Sequence, residues 1–285
     1  MAEILFITCN RWPNISQSDM LLANSLRKRG HSVESVPWQG DFTRLQAADL
    51  LLLRSNWDYH YDLPGFTAWL DQIEAARLPI YNPISLVRWN LHKSYLFDLE
   101  AQRILIPKTQ VLNKDEAVEP IFEQQGWTEA IIKPLVGASS HLVERVSRAA
   151  LATWCEEIRP QRADEAWLIQ EFRPEIQETG EWSLIFFAGD FSHAVVKQPS
   201  AGEFKLNSQY AGQIKRTTPA SSLLQQAQQV VAGLPLIPLY ARIDGFVSKN
   251  GDFLVLELEL NEPGLYFTFA PEQANHFAEV IHALL

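Results

Sequence analysis

Between positions 242 and 261 the chain carries five side chains that could hold a hard cation and face an anion: Arg242, Asp244, Glu257, Glu259 and Asn261. Side chains on a strand alternate between faces. In Phe253-Leu-Val-Leu-Glu-Leu-Glu-Leu-Asn261, Glu257, Glu259 and Asn261 therefore project from one face, and Leu256, Leu258 and Leu260 from the other. Arg242 and Asp244 are in phase on the preceding apolar run, and Asn250-Gly251 between the two runs is a hairpin signal. The hairpin gathers carboxylates, an amide and a guanidinium on one surface. Such a row repels itself unless something positive neutralises it. Magnesium takes hard oxygen ligands and sits between one or two carboxylates and substrate phosphates. The plainer alternative is an exposed strand whose acidic face is solvated.

Other residues add to this chemistry. Lys133 ends an apolar strand and is followed by Pro134-Leu-Val-Gly-Ala-Ser-Ser-His-Leu-Val143. A small, polar loop in that place can present N–H groups and hydroxyls such as that of Ser139 to phosphate oxygens, with the lysine as a compact positive charge. An ordinary turn would look much the same. Arg54-Ser-Asn-Trp-Asp-Tyr-His60 directly follows another strand, where open parallel sheets place their ligands; equally, its aromatics could plug a gap between domains. The histidines are scattered with no ligand spacing, which argues against a histidine metal site. Cys9 reads as a small buried hydrophobe. Trp57 and Trp89 are the tryptophans expected on the substrate side.

The elements that must position these groups begin with a strand over Ile4–Thr8 and a helix from Ser16 to Gly30. Strands over Val33–Val36 and Leu50–Leu53 follow, then a helix over Pro64–Arg77 with Phe66, Trp69, Leu70 and Ile73 inward. Strands alternating with helices predict a small parallel α/β sheet. No Gly-x-Gly-x-x-Gly follows the first strand, so a Rossmann dinucleotide site is not supported. The character changes near Asn82-Pro83, giving units 1–85, 86–165 and 166–285. Leu91–Gln102 reads as a helix with Lys93 near its start. Ala130–Lys133 and Trp167–Phe172 read as strands, and Gly180–Phe187 with Phe191–Lys197 as a hairpin turning at Gly189-Asp190. Gln198–Pro219, with Lys205, reads as a long polar loop, which in a compact domain is usually functional or mobile. Helices over Ser222–Val231 and Pro271–Leu285 complete the chain. Substrate choice is expected to rest on the segments 9–20, 54–63 and 198–215.

At 285 residues, with 47% hydrophobic and 20% charged, the chain falls in the soluble globular class. Its net charge of −10 argues against nucleic-acid binding, which needs a lysine and arginine surplus. Two isolated cysteines form no disulfide or metal framework, which suits a reducing cytoplasm. The first residues lack the pattern of a signal peptide, and no apolar run approaches the ~20 residues needed to cross a bilayer. A cytoplasmic protein without membrane contact is expected.

Taken in order, Lys93, Lys133-Pro with its small-residue loop, Gln170-Glu171-Phe172, Gly180-Glu181, Arg242 with Asp244, and Glu257-x-Glu259-x-Asn261 resemble the ATP-grasp superfamily. The resemblance is to the branch that holds glutathione synthetase and related carboxylate–amine ligases. It spans roughly residues 80–270, with the first sheet matching the domain that commonly precedes an ATP-grasp fold. Trp57-Asp-Tyr59 and Arg88-Trp-Asn-Leu-His-Lys93 are similar to a subgroup that includes the cyclo-ligase of cycloserine biosynthesis. The loop after Lys133 has a single glycine, Gly137, where many relatives have more. The acidic strand has Glu-x-Glu-x-Asn where Glu-x-Asn is more usual.

The resemblance implies an α/β fold of two α+β lobes with ATP between them. Lys93, Lys133 and the loop with Ser139 would contact phosphates, and the backbone from Gln170 through Glu171 to Phe172 would meet the adenine edge. Glu181, or else Glu178, would lie near the ribose. Lys197 and Lys205 would belong to the elements closing over the phosphates. Asp244, Glu259 and Asn261 would hold Mg2+ or Mn2+, with Glu257 able to replace one of them, and Arg242 would stabilise transferred phosphate or a carboxylate. The implied activity is ADP-forming ligation of small-molecule carboxylate and amine substrates, amino-acid-like or peptide, through an acyl phosphate, in a chain that could form homo-oligomers. Ring closure on an amino-acid derivative is the alternative outcome. A nucleotide-binding protein without catalysis is a third, against which the retention of Lys93, Lys133, Arg242, Asp244, Glu257, Glu259 and Asn261 argues.

Overall fold

The computed structural model describes residues 1–162, 166–199 and 211–285. Its first layer contains β1 (Glu3–Thr8), α1 (Gln17–Lys28), β2 (Ser32–Pro37), β3 (Leu50–Leu53), α2 (Leu63–Ala75) and β4 (Ile80–Tyr81). The strands form a parallel sheet in the order β2-β1-β3-β4. Ile4–Ile7 and Leu50–Leu53 are almost wholly buried, as continuous apolar runs require of a parallel sheet covered on both faces. Ser16 caps α1, its hydroxyl accepting the Asp19 N–H. On α2 the four residues expected to face inward, Phe66, Trp69, Leu70 and Ile73, are the buried ones.

Two helices follow, α3 (Ile84–Leu91) and α4 (Tyr95–Ala101), where one was expected over Leu91–Gln102. His92 is extended, with φ −109° and ψ 119°, which ends the first helix and leaves Lys93 in the break. The Lys93 N–H instead donates to the Leu135 carbonyl at 2.8 Å. The second sheet uses β5 (Thr109–Leu112), β6 (Glu129–Pro134), β7 (Glu144–Ser147) and β8 (Trp167–Glu171), antiparallel in the order β5-β8-β6-β7. α5 (Glu119–Gln125) and α6 (Leu151–Thr153) lie within it in sequence. β8 pairs with both β5 and β6, so Trp167–Glu171 is part of the second sheet.

The third sheet is antiparallel, β11-β10-β9-β12-β13. It holds β9 (Glu181–Phe187), β10 (Asp190–Pro199), β11 (Ala211–Thr217), β12 (Tyr240–Val247) and β13 (Phe253–Glu259), with α7 (Glu175–Thr179), α8 (Ser221–Ala232) and α9 (Pro271–His282) around it. The β9–β10 turn falls one residue earlier than expected, on Ala188 and Gly189, with φ 49° and 90°. Residues 211–217 are a strand, where a loop was expected. As a polar sheet edge with little buried surface, β11 shows no apolar alternation to read.

The hairpin sets Arg242 opposite Glu259 and Asp244 opposite Glu257. A bulge makes this possible. Gly245 pairs with Val255, so Leu256 is left over between them. Phe253 and Val255 lie in the core with Leu258 and Leu260; simple alternation would have sent Glu257 and Glu259 there too. The extra residue reverses the phase, and Leu256, expected on the apolar face, lines the cleft. Gly245 is required beside it, since a Cβ there would lie 2.4 Å from the Leu254 carbonyl oxygen.

One apolar cluster joins Ile4, Phe6, Leu22 and Leu26 of the first layer to Phe187, Tyr240, Phe267, Phe277 and Ile281 of the last. Asn82, fully buried, crosses the boundary: its Nδ2 donates to the carbonyls of Tyr240 (2.9 Å) and Leu260 (2.7 Å), and its Oδ1 accepts from Leu239 N–H at 2.6 Å. Among the described residues no helix is long and apolar enough to cross a membrane.

Candidate active site

The three sheets meet at a cavity of about 310 Å³. The first layer contributes Trp57 and Tyr59 from the loop after β3, the α3–α4 break contributes Lys93, and the second sheet contributes Lys133, Gln170 and the loop around Ser139. β9 and β10 bring Glu181 and Lys197, and the hairpin brings Arg242, Asp244, Glu257, Glu259 and Asn261. Three residues of the small loop, Ser139, Ser140 and Leu142, adopt left-handed φ near 55°. Non-glycine residues hold that conformation at a cost of order 1–3 kcal/mol each, and such strain clusters at ligand sites.

Cations and carboxylates interleave across this cavity. Lys93 Nζ lies 2.5 Å from Glu257 Oε1 and donates to the Gly137 carbonyl at 3.0 Å. Arg242 is bidentate on Asp244, with Nε and Nη2 at 3.0 and 2.8 Å from Oδ2, and also pairs with Glu259. Lys197 pairs with Glu181 and lies 3.5 Å from Asp244, which also accepts from Ser183 Oγ. Burial alone would push Asp244 up, but Arg242 and Lys197 hold it at about 2. Burial raises Glu259 to about 7 despite Arg242, with Asp244 and Glu257 adding repulsion. Burial lowers Lys133 to about 8, and its Nζ has only the Leu256 carbonyl near, at 3.4 Å. Lys133 is the cleft cation without a carboxylate in ion-pair range among the described residues.

The donor set fits a hard divalent cation. Oxygens of Asp244, Glu257 and Glu259 lie within 4.8 Å of one another. The Asn261 amide, on the same cavity wall, is 3% exposed and has no hydrogen-bond partner for either atom among the described residues. Leaving such a group unpaired costs roughly 1–3 kcal/mol, and its amide oxygen suits the same hard cation.

Of the residues singled out from sequence, Lys93, Lys133, Ser139, Gln170, Phe172, Glu181, Lys197, Arg242, Asp244, Glu257, Glu259 and Asn261 all line the cavity. Glu171 does not: its N–H donates to the Lys108 carbonyl at 2.8 Å and its carboxylate faces Arg173 at 3.6 Å. Lys205 lies outside the described residues. Arg54 is wholly buried, paired with Asp19 at 2.8 Å and donating to the Pro263 carbonyl, and so fixes the hairpin exit instead of meeting ligands. Asp58 likewise accepts from Trp38 and Gln39. Trp57 lines the cavity, but Trp89 packs elsewhere, on Tyr95, with its Nε1 donating to Asp98. Cys9 is buried, its thiol on the Ser55 carbonyl and pushed up by burial. Among the carboxylates that line the cavity in the described residues, Glu262 was missed. Glu262 is 7% exposed, and burial, with Glu259 next in effect, pushes it up to about 8. It breaks the alternation that singled out its neighbours, so strand phase gave no sign of it.

Two antiparallel-sheet lobes clasping a lysine- and carboxylate-lined cleft, behind a parallel-sheet domain, are the architecture of an ATP-grasp protein. The model of the prokaryotic glutathione synthetase ATP-grasp domain matches residues 95–235, and that of the D-cycloserine synthetase DcsG N-terminal domain matches residues 4–82. The chain thus carries an ATP-grasp domain of the glutathione synthetase type behind a DcsG-type N-terminal domain, and these matches support an ATP-binding, ATP-dependent ligase. It is 28% identical over 279 residues to the cycloserine biosynthesis protein DcsG of Streptomyces lavendulae, covering 91% of each chain. Its fold is similar to the crystal structure of D-cycloserine synthetase DcsG, with TM-score 0.88, 24% identity and 99% of each chain covered. It is also similar to D-alanine--D-alanine ligase from Bacillus anthracis, with TM-score 0.72, 16% identity, and 99% of this chain and 95% of that one covered. The ATP-grasp ligase PsnB matches at TM-score 0.67 and 16% identity, with 100% of each chain covered.

Proposed function

We propose that the chain is an ADP-forming, magnesium-dependent ligase that makes a C–N bond on a small amino-acid-like or peptide substrate through an acyl phosphate. A carboxylate is a poor electrophile at neutral pH because its leaving group would be oxide. Its oxygen attacks the γ-phosphorus of ATP and ADP leaves; an amine nitrogen then attacks the acyl carbon, phosphate leaves, and the nitrogen gives up a proton. The observation that carries this reading is the Asp244, Glu257, Glu259 and Asn261 group set among Lys93, Lys133, Lys197 and Arg242 in one cleft.

Phosphoryl transfer leaves the protein chiefly positioning and charge neutralisation. Lys133, buried and without a carboxylate partner, is the phosphate contact the cleft offers most directly. Lys93 would join it from the helix break, and the left-handed loop at Ser139 would turn N–H groups toward phosphate. Gln170 and Phe172 would border the adenine side, Glu181 the ribose, and Lys197 the phosphates. Arg242 would face the transferred phosphoryl group or the substrate carboxylate. Asp244, Glu257, Glu259 and Asn261 would hold Mg2+, which, when bound, neutralises charge developing between the phosphates.

Thermal stability with ATP, with and without Mg2+, tests this in wild type and Glu259→Ala. A ligand at ~100 times its dissociation constant stabilises by about 2.7 kcal/mol. A magnesium-dependent rise in Tm that Glu259→Ala abolishes is expected, together with amine-dependent ADP release by wild type. ATP binding without ADP release across carboxylate and amine panels would leave a nucleotide-binding protein without catalysis. Near-normal turnover by Glu259→Ala would remove the metal assignment.

Ring closure is the second reading, favoured by similarity to DcsG across both domains. Here the carboxylate and the attacking nitrogen belong to one molecule. Mass spectrometry separates the two: cyclisation gives a product one water lighter than a single substrate, ligation one water lighter than the sum of two.

A further inference from the structure

Among the described residues the cleft holds five carboxylates, Glu181, Asp244, Glu257, Glu259 and Glu262. Four have a basic partner: Lys197 on Glu181, Arg242 and Lys197 on Asp244, Lys93 on Glu257, Arg242 on Glu259. Glu262 has none among the described residues, and its Oε2 is buried without a hydrogen-bond partner. A buried carboxylate left in this way is costly unless something positive or hydrogen-donating completes it. Its place is fixed from outside the hairpin. Trp57 Nε1 donates to the Glu262 carbonyl at 3.1 Å, and the next residue's carbonyl, that of Pro263, accepts from the buried Arg54. Trp57 and Tyr59 of the first layer line the same wall. Glu262 thus stands where the nucleotide-facing hairpin meets the domain that carries the loop after β3.

Resting on the ligase reading, we propose that Glu262, with Trp57 beside it, forms the subsite for a protonated primary amine of the substrate. An ammonium group has three donors and a compact charge, and satisfies a buried carboxylate that has no other basic partner. The metal-binding group is complete without Glu262, since Asp244, Glu257 and Glu259 converge within 4.8 Å and Asn261 is on the same cavity wall. The subsite therefore selects amino-acid-like molecules over simple carboxylic acids.

Two probe pairs test it, each differing by one amino group: D-alanine against propionate, and D-cycloserine against isoxazolidin-3-one. Binding to the wild-type protein saturated with Mg2+ and a non-hydrolysable ATP analogue is measured by titration calorimetry, then repeated with the nearly isosteric Glu262→Gln. The amine-bearing member of at least one pair is expected to bind wild type tenfold or more tightly than its partner. Glu262→Gln should erase that difference while keeping the nucleotide-dependent Tm shift. Equal binding within both pairs, no binding of either amine, or a preference that survives in Glu262→Gln would overturn the subsite. Mn2+ titration adds a separate arm: loss of a bound ion, or tenfold weaker Mn2+ binding, in Glu262→Gln would make it a metal ligand and also overturn the proposal. Loss of the nucleotide-dependent shift in wild type would instead count against the nucleotide reading, and the comparison of amine with desamino probes, repeated without nucleotide, would still decide the subsite.

Discussion

His193 shows how a single side chain ties acid stability to the fold. It is 3% exposed on β10, its Nε2 lies 2.9 Å from the Leu265 carbonyl, and burial lowers its pKa to about 4. In the unfolded chain an imidazole titrates near 6.5, so on acidification the unfolded state takes the proton first. The contribution is complete above about pH 6.5 and is lost between there and about pH 4, on the order of 3 kcal/mol over that span. His193→Gln should flatten this part of the Tm-versus-pH curve relative to wild type, and an unchanged slope would show that carboxylates elsewhere govern acid unfolding. At the same scale Glu259 decides the metal assignment: its loss should abolish the magnesium-dependent part of the nucleotide Tm shift.

Among the elements, β13 brings Glu257 and Glu259 to the cavity and, among the described residues, also forms a sheet edge that would otherwise be open. Side chains from the α3–α4 region cover it. Asn90 Nδ2 donates to the Leu258 carbonyl at 2.7 Å, Asn90 Oδ1 accepts from Leu260 N–H at 2.8 Å, and Tyr95 Oη accepts from Leu258 N–H at 2.9 Å. These bonds stand in for a neighbouring strand. Asn90→Ala should leave two buried backbone groups unpaired and cost about 2–4 kcal/mol, read as a fall in denaturation midpoint. Tyr95→Phe, which removes one acceptor, should cost about 1–2 kcal/mol. Strand phase revealed Arg242, Asp244, Glu257, Glu259 and Asn261 because both sides of the pairing alternate. It could not reveal the bulge, which depends on the close approach of Leu254 and Phe253 to Gly245. Nor could it reveal the break at His92, because Leu91, Tyr95, Leu96 and Leu99 keep helical spacing across it. The buried strands and α2 were legible because burial imposes a period on sequence; Glu262 was not, because its isolation arises from residues more than 200 positions away.

As a whole the molecule does not divide where its sheets do. The stacked Phe187 and Phe277 rings, 4.1 Å apart, lie in one cluster with Ile4, Phe6 and Leu22, and Arg29 pairs with Glu279 at 2.7 Å. Phe277→Ala should therefore cost about 3–5 kcal/mol. It should shift a single transition, with tryptophan fluorescence and far-ultraviolet circular dichroism moving together, instead of releasing one domain ahead of the others. The Asn82 crosslink sits at the same seam and joins the first layer to both hairpin strands. This interlock bears on how such ligases can be recombined. A chimaera that exchanges only residues 1–85 with a relative would transplant half of an apolar cluster and one side of a hydrogen-bond set, whereas one that also carries residues 239–285 brings the Asn82 partners Leu239, Tyr240 and Leu260 together with Phe267, Phe277 and Ile281. The inheritable module is thus discontinuous in sequence, and breeding new substrate preferences into this scaffold by shuffling would have to cut the gene at two places, not one.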